Sequence, residues 1–287
     1  MYVNVSFPLR ECVSQVLSEE VQLLDFYQFN FTYPQINKAA NTINQFVSST
    51  TRGKITQVVT YNDLREIAMA LINAAYFKGL WLTPFKTKFT TKDKFYTSPD
   101  QYTLVDMMYL EDDFKYGISS ELGATVLELP YKREAASMFV LLPDSADDNT
   151  TIPLDTMLTR LTPDSLRAAL ATLERQKIHI NIPKFKMEKR IKEELKEALQ
   201  RLGIRHIFSN SADMSIFDPS RQLRVRETIH KAAIEVNEEG SEAAAATPVL
   251  FDLKIGGRPF ICNRPFLFFI HDNHTNNILF MGVYRQP

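Results

Sequence analysis

Amphipathic helices are predicted near the start of the chain and again between residues 154 and 202. From Arg10 to Tyr27, apolar residues recur at helical spacing, and Glu19 and Glu20 occupy the remaining face. The same spacing predicts a second helix over Ile36–Val47, which a polar loop follows. Two later helices are predicted at Leu154–Arg175 and Ile191–Leu202.

Short apolar or alternating segments predict strands between and before these helices. Polar residues or prolines bound most of them. The predicted strands are Met1–Phe7, Leu104–Tyr109, Phe114–Ile118, Ala124–Leu129, Met138–Leu142 and Ile178–Ile182. No fixed-period repeat and no Pro/Gly/Ser-rich linker divides the chain, so we predict one mixed α and β domain over residues 1–287.

The segment from Leu64 to Trp81 fits two structures. Its alanine and leucine content favours a helix by propensity. Its two interleaved faces are both mostly apolar, which is typical of a strand buried on both sides. The pattern by itself leaves both interpretations open.

Composition and charge narrow the classes of function. The 287 residues are 45% hydrophobic, and 33 Lys and Arg against 34 Asp and Glu give a formal charge of −1. A chain so balanced has no overall attraction to nucleic acid or to anionic membranes, and no apolar run reaches the roughly 20 residues of a membrane span. The two cysteines, Cys12 and Cys262, are too few for a disulfide framework, and we expect two mostly buried thiols.

Motifs of the common catalytic and cofactor sites are missing from the sequence. It holds no Gly-rich phosphate loop, no His-Glu-x-x-His, no paired Cys-x-x-Cys and no Gly-x-Ser-x-Gly, and its five histidines are scattered. We therefore expect a non-enzyme with no catalytic residues, no metal and no cofactor; a hydrolase is the remote alternative. We also expect a monomer.

A basic run at residues 184–190 allows a local charge-based role. Its lysines and arginine alternate with Phe185 and Met187, a mixture suited to a polyanion. The same pattern is typical of a solvated strand edge, which is the more ordinary interpretation. Polyanion binding is thus an open alternative.

Residues 237–258 differ from an ordinary loop. Their alanines favour a helix, yet a period of two underlies them, and one face is small or apolar throughout. That face consists of Ser241, Ala243, Ala245, Thr247, Val249, Phe251 and Leu253. Small residues at the leading end suit a strand that must pass between two packed strands before it gains ladder hydrogen bonds.

At this segment the chain resembles the serpin family. The residues that resemble the hinge of an inhibitory reactive-centre loop are Glu238, Glu239, Gly240, Ser241, Glu242, Ala243, Ala244, Ala245, Ala246 and Thr247. Residues 260–270 are similar to the family signature after that loop, and residues 278–282 to its last strand. Residues 73–81 and 230–233 are similar to strands of the family's large sheet, and the resemblance runs over residues 1–287.

The resemblance implies an α+β serpin fold with a large sheet A and further sheets B and C. Leu64–Trp81 then contains a central strand of sheet A, Trp81 is the breach tryptophan, and Asn73 and His230 belong to the breach and shutter region. Because Met1–Phe7 resembles a strand of sheet A, the helices that precede it in the family have no counterpart. Either this chain is part of a longer polypeptide or it is a shortened variant.

The resemblance also implies a suicide-substrate mechanism. In the family, a serine protease attacks the reactive-centre loop, here residues 238–259, and the cleaved hinge inserts into sheet A with the protease held as a covalent acyl complex. Counting from Gly240 and back from residues 263–266 places the reactive bond at Lys254–Ile255. A lysine at that position implies a trypsin-like protease as partner.

Pro248 is the residue least suited to insertion, because proline cannot donate to a strand ladder. Either it slows insertion or it merely stiffens an exposed loop. The alternative function is a non-inhibitory serpin that acts as a carrier, storage protein or chaperone, since a fold does not fix a function.

Four Asn-x-Ser/Thr sequences are candidate glycosylation sites. They begin at Asn4, Asn30, Asn149 and Asn273. The first residues carry no basic region followed by an apolar one, so the chain shows no signal peptide. We expect an extracellular, secreted glycoprotein on the strength of the four sites.

Overall fold

The computed structural model describes nine ranges of the chain. These are residues 2–4, 10–20, 27–29, 35–65, 69–146, 150–151, 154–217, 224–239 and 258–287. The described helices are α1 (Glu11–Glu20), α2 (Ile36–Thr50), α3 (Tyr61–Leu64), α4 (Leu154–Arg160), α5 (Pro163–Ala171) and α6 (Glu193–Arg201).

Strands make up most of the remaining described structure. In the first half they are β1 (Tyr2–Asn4), β2 (Tyr27–Phe29), β3 (Met69–Phe77), β4 (Thr91–Ser98), β5 (Gln101–Ser119), β6 (Ala124–Pro130) and β7 (Ala136–Pro143). They continue with β8 (Ser145–Ala146), β9 (Thr150–Thr151), β10 (Glu174–Pro183), β11 (Phe185–Ile191), β12 (Val225–Val236), β13 (Arg258–Ile261), β14 (Phe266–Asp272) and β15 (Asn277–Tyr284).

The chain divides into two compact units. The first comprises Met1–Phe77 and Lys186–Glu235, and the second comprises Lys78–Phe185 and Val236–Pro287. The prediction that residues 1–287 form one domain stays a prediction.

The first unit is built on a five-stranded sheet with the order β11-β12-β3-β1-β2. At its centre β3 and β12 run parallel, with registered partners from Thr228 and Leu71 to Ile234 and Phe77. Helix α2 is amphipathic because its apolar residues recur every three to four positions, and this face packs on the sheet. The buried residues of that face are Ile36, Ala39, Ala40, Ile43 and Val47.

The second unit is built on an eight-stranded sheet. Its order is β13-β10-β5-β6-β7-β14-β15, and β4 pairs with β5 outside that path. Helices α4 and α5 close a core against β6, β7 and β14, in which Phe139 stacks on Phe269 at 4.9 Å between ring centroids. The strand that follows the loop, β13, pairs in parallel with β10.

Three sequence predictions need correction. The region from Leu104 to Ile118 lies within one 19-residue strand, β5, rather than in two strands, because Asp113 lies opposite Lys177 of β10 in an uninterrupted ladder. The helix predicted over Leu154–Arg175 is two helices and the start of β10, because Thr162 caps a new helix whose first residue is Pro163. The first predicted helix ends before Tyr27, which begins β2.

The ambiguous segment contains a strand. Met69–Phe77 is β3, as the family resemblance implies, and among the described residues of this segment Leu64 belongs to a helix, α3. The predicted strands at residues 124–129, 138–142 and 178–182 and the helix from Ile36 are confirmed at similar bounds. Of the strand predicted over Met1–Phe7, Tyr2–Asn4 is confirmed as β1, and its other residues lie outside the described ranges.

Candidate functional site

The predicted hinge begins at Glu238, two residues after the end of β12, and it is described as far as Glu239. Asn237 is fixed there by two bonds: its carbonyl accepts from Trp81 Nε1 at 2.9 Å, and its Oδ1 accepts from the backbone N–H of Glu239 at 3.1 Å. We call residues 236–239 the loop root. The loop root lies in the second unit, as do Lys78, Trp81, Thr90 and Lys184, which contact it.

Trp81, which binds the loop root, is buried and tightly packed. It is 4% exposed, and its ring stacks on Tyr131 at 4.6 Å with an interplanar angle of 12°. The backbones of Trp81 and Tyr131 form an isolated antiparallel β-bridge. Gly79 lies so close to the Tyr131 ring that a Cβ at Gly79 would fall 2.3 Å from it. Burial raises the pKa of Tyr131, so its phenol stays neutral. The packing leaves the indole little freedom to move.

Glu238 is a buried carboxylate with two polar partners. Its side chain is 8% exposed and lies 3.0 Å from Lys184 Nζ, while Thr90 Oγ1 donates to its other oxygen at 2.9 Å. Burial alone would raise the pKa of Glu238, but hydrogen bonds from its own backbone N–H, Lys184 and Thr90 outweigh it and hold the pKa below its ordinary value. Glu238 therefore stays charged and ties the loop root to the segment just before β11.

Glu239 makes a second ion pair, with a different lysine from the one that pairs with Glu238. Its Oε2 lies 2.9 Å from Nζ of Lys78, the first residue after β3. The two side chains are 71% and 26% exposed, respectively, so water competes with this pair. The loop root is thus held by a buried carboxylate and by an exposed one, each with its own lysine.

Asn73 and His230 form the other predicted site, in the first unit. They are registered partners on β3 and β12, and Asn73 Oδ1 lies 2.8 Å from His230 Nδ1, whose N–H donates. Burial lowers the pKa of His230, which favours the neutral ring. This bond links β3 to β12 through their side chains.

Beyond the loop, the signature residues anchor β13. The backbone N–H of Cys262 donates to Asn181 O of β10 at 2.8 Å, and the Arg264 guanidinium donates twice to Pro143 O, at 2.7 and 3.0 Å. Cys262 is fully buried, and burial raises the pKa of its thiol. The chain after the loop is therefore fixed on the second sheet.

Several predicted site residues lie outside the described residues. They are the hinge from Gly240 to Thr247, the reactive bond Lys254–Ile255, Pro248, and the glycosylation candidates Asn30 and Asn149. Asn4 lies in β1, and Asn273 follows β14. The expectation of two mostly buried thiols is wrong for Cys12, which is exposed on the first turn of α1. Both thiols are free.

The basic run forms the edge strand β11, at one end of the described five-stranded sheet. Its charges have acidic neighbours: Lys186 lies 2.9 Å from Glu188, and Arg190 lies 2.6 Å from Asp63. These pairs favour the interpretation as a solvated strand edge over a polyanion site.

Sequence reasoning named Glu238 and Glu239 but not the groups that hold them. Lys184 was named only as part of the basic run, and Thr90 and Tyr131 were not named. No local sequence pattern links these three residues to Glu238, which is more than 50 positions away from each of them. Lys78 lies within the motif of residues 73–81, so its position carried a usable signal.

The described part of the chain has neither a candidate metal site nor a candidate membrane helix. No group of three or more His, Cys, Asp or Glu side chains is placed to hold a metal ion there. Within the same residues, no helix has the length and apolar character that a membrane crossing needs.

Comparisons with known proteins place this geometry in a family. The family model described as "Serpin (serine protease inhibitor)" matches residues 1–287. Serine protease inhibitor 2 of Anopheles gambiae is 36% identical over 263 residues, which cover 89% of this chain and 63% of that protein. Leukocyte elastase inhibitor of Bos taurus is 35% identical over 254 residues, which cover 87% of this chain and 67% of that protein.

Solved structures agree with the sequence comparisons. A crystal structure of uncleaved ovalbumin superposes with a TM-score of 0.88 and 29% identity, covering 100% of this chain and 75% of that one. Mouse protein-Z dependent protease inhibitor gives 0.81 and 27%, covering 100% and 72%. The chain spans about two thirds of the length of its curated relatives. With a mixed α and β fold in which a large sheet A and a sheet B are recognisable, this chain belongs to the serpin family.

Proposed function

We propose that this chain inhibits a serine protease as a suicide substrate, by inserting its cleaved loop between β3 and β12. The observation that carries the proposal is the direct parallel pairing of β3 with β12, where β12 continues into the loop root. Both strands are thus neighbours in the state described here, and a segment that separates them would find ladder partners on both sides.

The direction of the chain favours this insertion. A segment that turns back after β12 runs antiparallel to β12, and because β3 is parallel to β12 it also runs antiparallel to β3. Each residue would therefore exchange hydrogen bonds with two antiparallel neighbours, a slightly more stable arrangement per residue than a parallel pair. The proposed change replaces one parallel contact with two antiparallel contacts.

The loop sequence suits the space available. The face from Ser241 to Leu253 is small or apolar, and 13 residues at about 3.3 Å each give a strand of roughly 40 Å. That exceeds the nine residues of β3, so the inserted segment would reach past the end of the β3–β12 pair. A protease bound as an acyl-enzyme at Lys254 would be carried along the sheet before water releases it.

Lys254 is proposed as the residue that the protease recognises. Its ammonium would pair with the buried carboxylate of a trypsin-like specificity pocket, an interaction that a neutral side chain cannot replace. Distortion of the protease's oxyanion hole and triad during transport would then slow deacylation. The speed of insertion decides between inhibition and turnover.

The test is a gel assay for an SDS-resistant complex with trypsin. We expect the wild-type chain to form it, Lys254→Ala to lose it, and Ala243→Arg to be cleaved without forming it, because a charged side chain on the inserting face blocks entry. Glu242→Arg, on the outward face, is the matched control and should still form the complex. Cleavage of the wild-type loop with free turnover of trypsin would contradict the proposal and would favour the non-inhibitory alternative.

An extracellular location is proposed from the four glycosylation sequences alone. The name of one relative, Intracellular coagulation inhibitor 2 from Tachypleus tridentatus, does not favour it. The described site at Asn273 does not favour a glycan. Its Nδ2 donates to Glu134 O at 2.9 Å and to Ser137 Oγ at 3.0 Å, and a glycan on that nitrogen would remove one of the two donors. Loss of mass on enzymatic deglycosylation of the secreted chain would support the location, and an unchanged mass would contradict glycosylation.

A further inference from the structure

The strands β3 and β12 end side by side, and non-covalent contacts join the segments that follow them. Phe77 of β3 lies opposite Ile234 of β12, after which β3 continues into Lys78 and β12 into the loop root. We call this end of the pair the exit end. Any segment that enters between β3 and β12 directly after the loop root must pass here first.

Two contacts join the continuations of β3 and β12 at the exit end. One is the bond from Trp81 Nε1 to Asn237 O, and the other is the ion pair of Lys78 with Glu239. They differ in how easily they yield. Trp81 is 4% exposed and stacked on Tyr131, whereas the Glu239 side chain is 71% exposed. The ion pair is therefore the contact that can open without repacking the core.

Glu238 has a different role although it is the adjacent residue. Its partner Lys184 immediately precedes β11, which neighbours β12 on the side away from β3. The Glu238 pair therefore anchors the loop root without crossing between β3 and β12. Of the two carboxylates, Glu239 is the one whose ion pair joins the continuations of β3 and β12.

Insertion also requires Glu239 itself to move. For residues from Ser241 onward to run back along β12, which ends at Val236, residues 237–240 must form the connecting turn. Glu239 then lies inside the turn, and the backbone that now aims its carboxylate at Lys78 has to reorient.

We propose that Lys78 and Glu239 are positioning residues that set the rate of loop insertion, by holding the exit end closed until the loop is cut. This inference rests on the proposed function and refines it. The pair is present before insertion and lost as the turn forms, so removing it lowers the barrier. Because the side chains are exposed, dissolved salt screens the attraction, and insertion becomes faster as ionic strength rises.

The sequence provides its own reporter for the experiment. Trp81 is the only tryptophan, and its indole is bonded to the loop root, so its fluorescence follows the opening of the exit end after trypsin cuts the loop. We expect Glu239→Gln and Lys78→Met each to insert about two to five times faster than wild type at low salt, the range of an exposed ion pair. The wild type should approach the variants near 1 M NaCl, and the variants should change little with salt.

Two further variants separate a positioning role from general effects. The exchanged pair, Lys78→Glu with Glu239→Lys, should restore the slow rate and its salt dependence. Asp155→Asn removes the exposed Asp155–Arg285 pair elsewhere in the same unit and should leave both unchanged. Equal rates for wild type and Glu239→Gln at low salt, or no rescue by the exchanged pair, would overturn the inference. If wild type traps trypsin but the rates are equal or the exchanged pair gives no rescue, only this inference fails. If wild type never traps trypsin, the proposed function fails.

Discussion

At the scale of single residues, the loop root depends on a charge removed from water. Glu238 is buried, and it stays ionised because Lys184 and Thr90 replace the water it loses. The sequence could name Glu238 through its motif, but not its partners, which come from strands and loops that only the tertiary fold brings together.

Replacing Glu238 with Gln should therefore destabilise the second unit. The change leaves the Lys184 ammonium without its charged partner, and we expect the free energy of unfolding to fall by about 1–3 kcal/mol in urea titrations. Glu239→Gln is the matched control and should cost less than about 1 kcal/mol because its carboxylate is exposed. Equal losses for the two variants would contradict the distinction drawn between them.

The effect of Glu238 should also depend on pH. Its pKa in the folded chain lies below the ordinary 4.5, so the unfolded chain binds the proton more readily. The stabilisation is complete above about pH 4.5 and is lost as the pH falls through the lower pKa of the folded state. The difference in unfolding free energy between wild type and Glu238→Gln should accordingly shrink below pH 4.5 and stay constant above it.

Thr228 offers a change in the opposite direction. It is 3% exposed on β12, and its Oγ1 has no hydrogen-bond partner. A buried hydroxyl without a partner costs about 1–3 kcal/mol, and valine has nearly the same shape. We expect Thr228→Val to raise the free energy of unfolding by about 1 kcal/mol, measured by urea titration. A loss of stability would show that the hydroxyl is satisfied in solution.

At the scale of elements, the sequence predicted segments whose packing partner is generic. Helix α2 follows from apolar spacing alone, because any apolar sheet face suits it. The full length of β5 does not follow from its sequence, because Asp112 and Asp113 interrupt the apolar pattern. In the fold, Thr83 donates to Asp112, and both aspartates have ladder partners on β10. The segment around β3 was ambiguous because a strand buried on both faces has no alternation, and only its place between β12 and β1 decides its structure.

The β3–β12 pair should open more easily without its side-chain link. Asn73→Ala removes the bond to His230, and we expect an intact chain less stable by about 0.5–1.5 kcal/mol and a faster Trp81 fluorescence change after cleavage. Thr42→Ala, which loses a bond within α2, is the control and should leave the insertion rate unchanged. A slower insertion in Asn73→Ala would contradict a role for this bond in holding the strands together.

The stability of the first unit should also fall in acid, because burial of the His230 ring opposes its protonation. The pKa of His230 in the folded chain lies below its ordinary 6.5, so the neutral ring is favoured by folding. Its contribution to stability is complete above about pH 6.5 and declines as the pH falls towards the folded pKa. Wild type should lose stability over this interval more than a His230→Gln variant, as measured by thermal unfolding at pH 5.5 and 7.5.

At the scale of the whole molecule, the described state has β3 and β12 paired with each other and the loop root held at their end. The proposed function requires that this state be less stable than the one with the cleaved loop inserted. The difference in free energy would come from a strand of about 13 residues that pairs on both sides, at roughly 0.5–1.5 kcal/mol for each hydrogen bond.

The most direct test of loop insertion is the thermal unfolding midpoint before and after cleavage at Lys254–Ile255. The account predicts an increase of more than about 10 °C in the wild-type chain, since each kcal/mol shifts the midpoint of a chain of this size by a few degrees. Ala243→Arg, cleaved at the same bond, should show little increase. An unchanged midpoint in the cleaved wild-type chain would contradict insertion between β3 and β12.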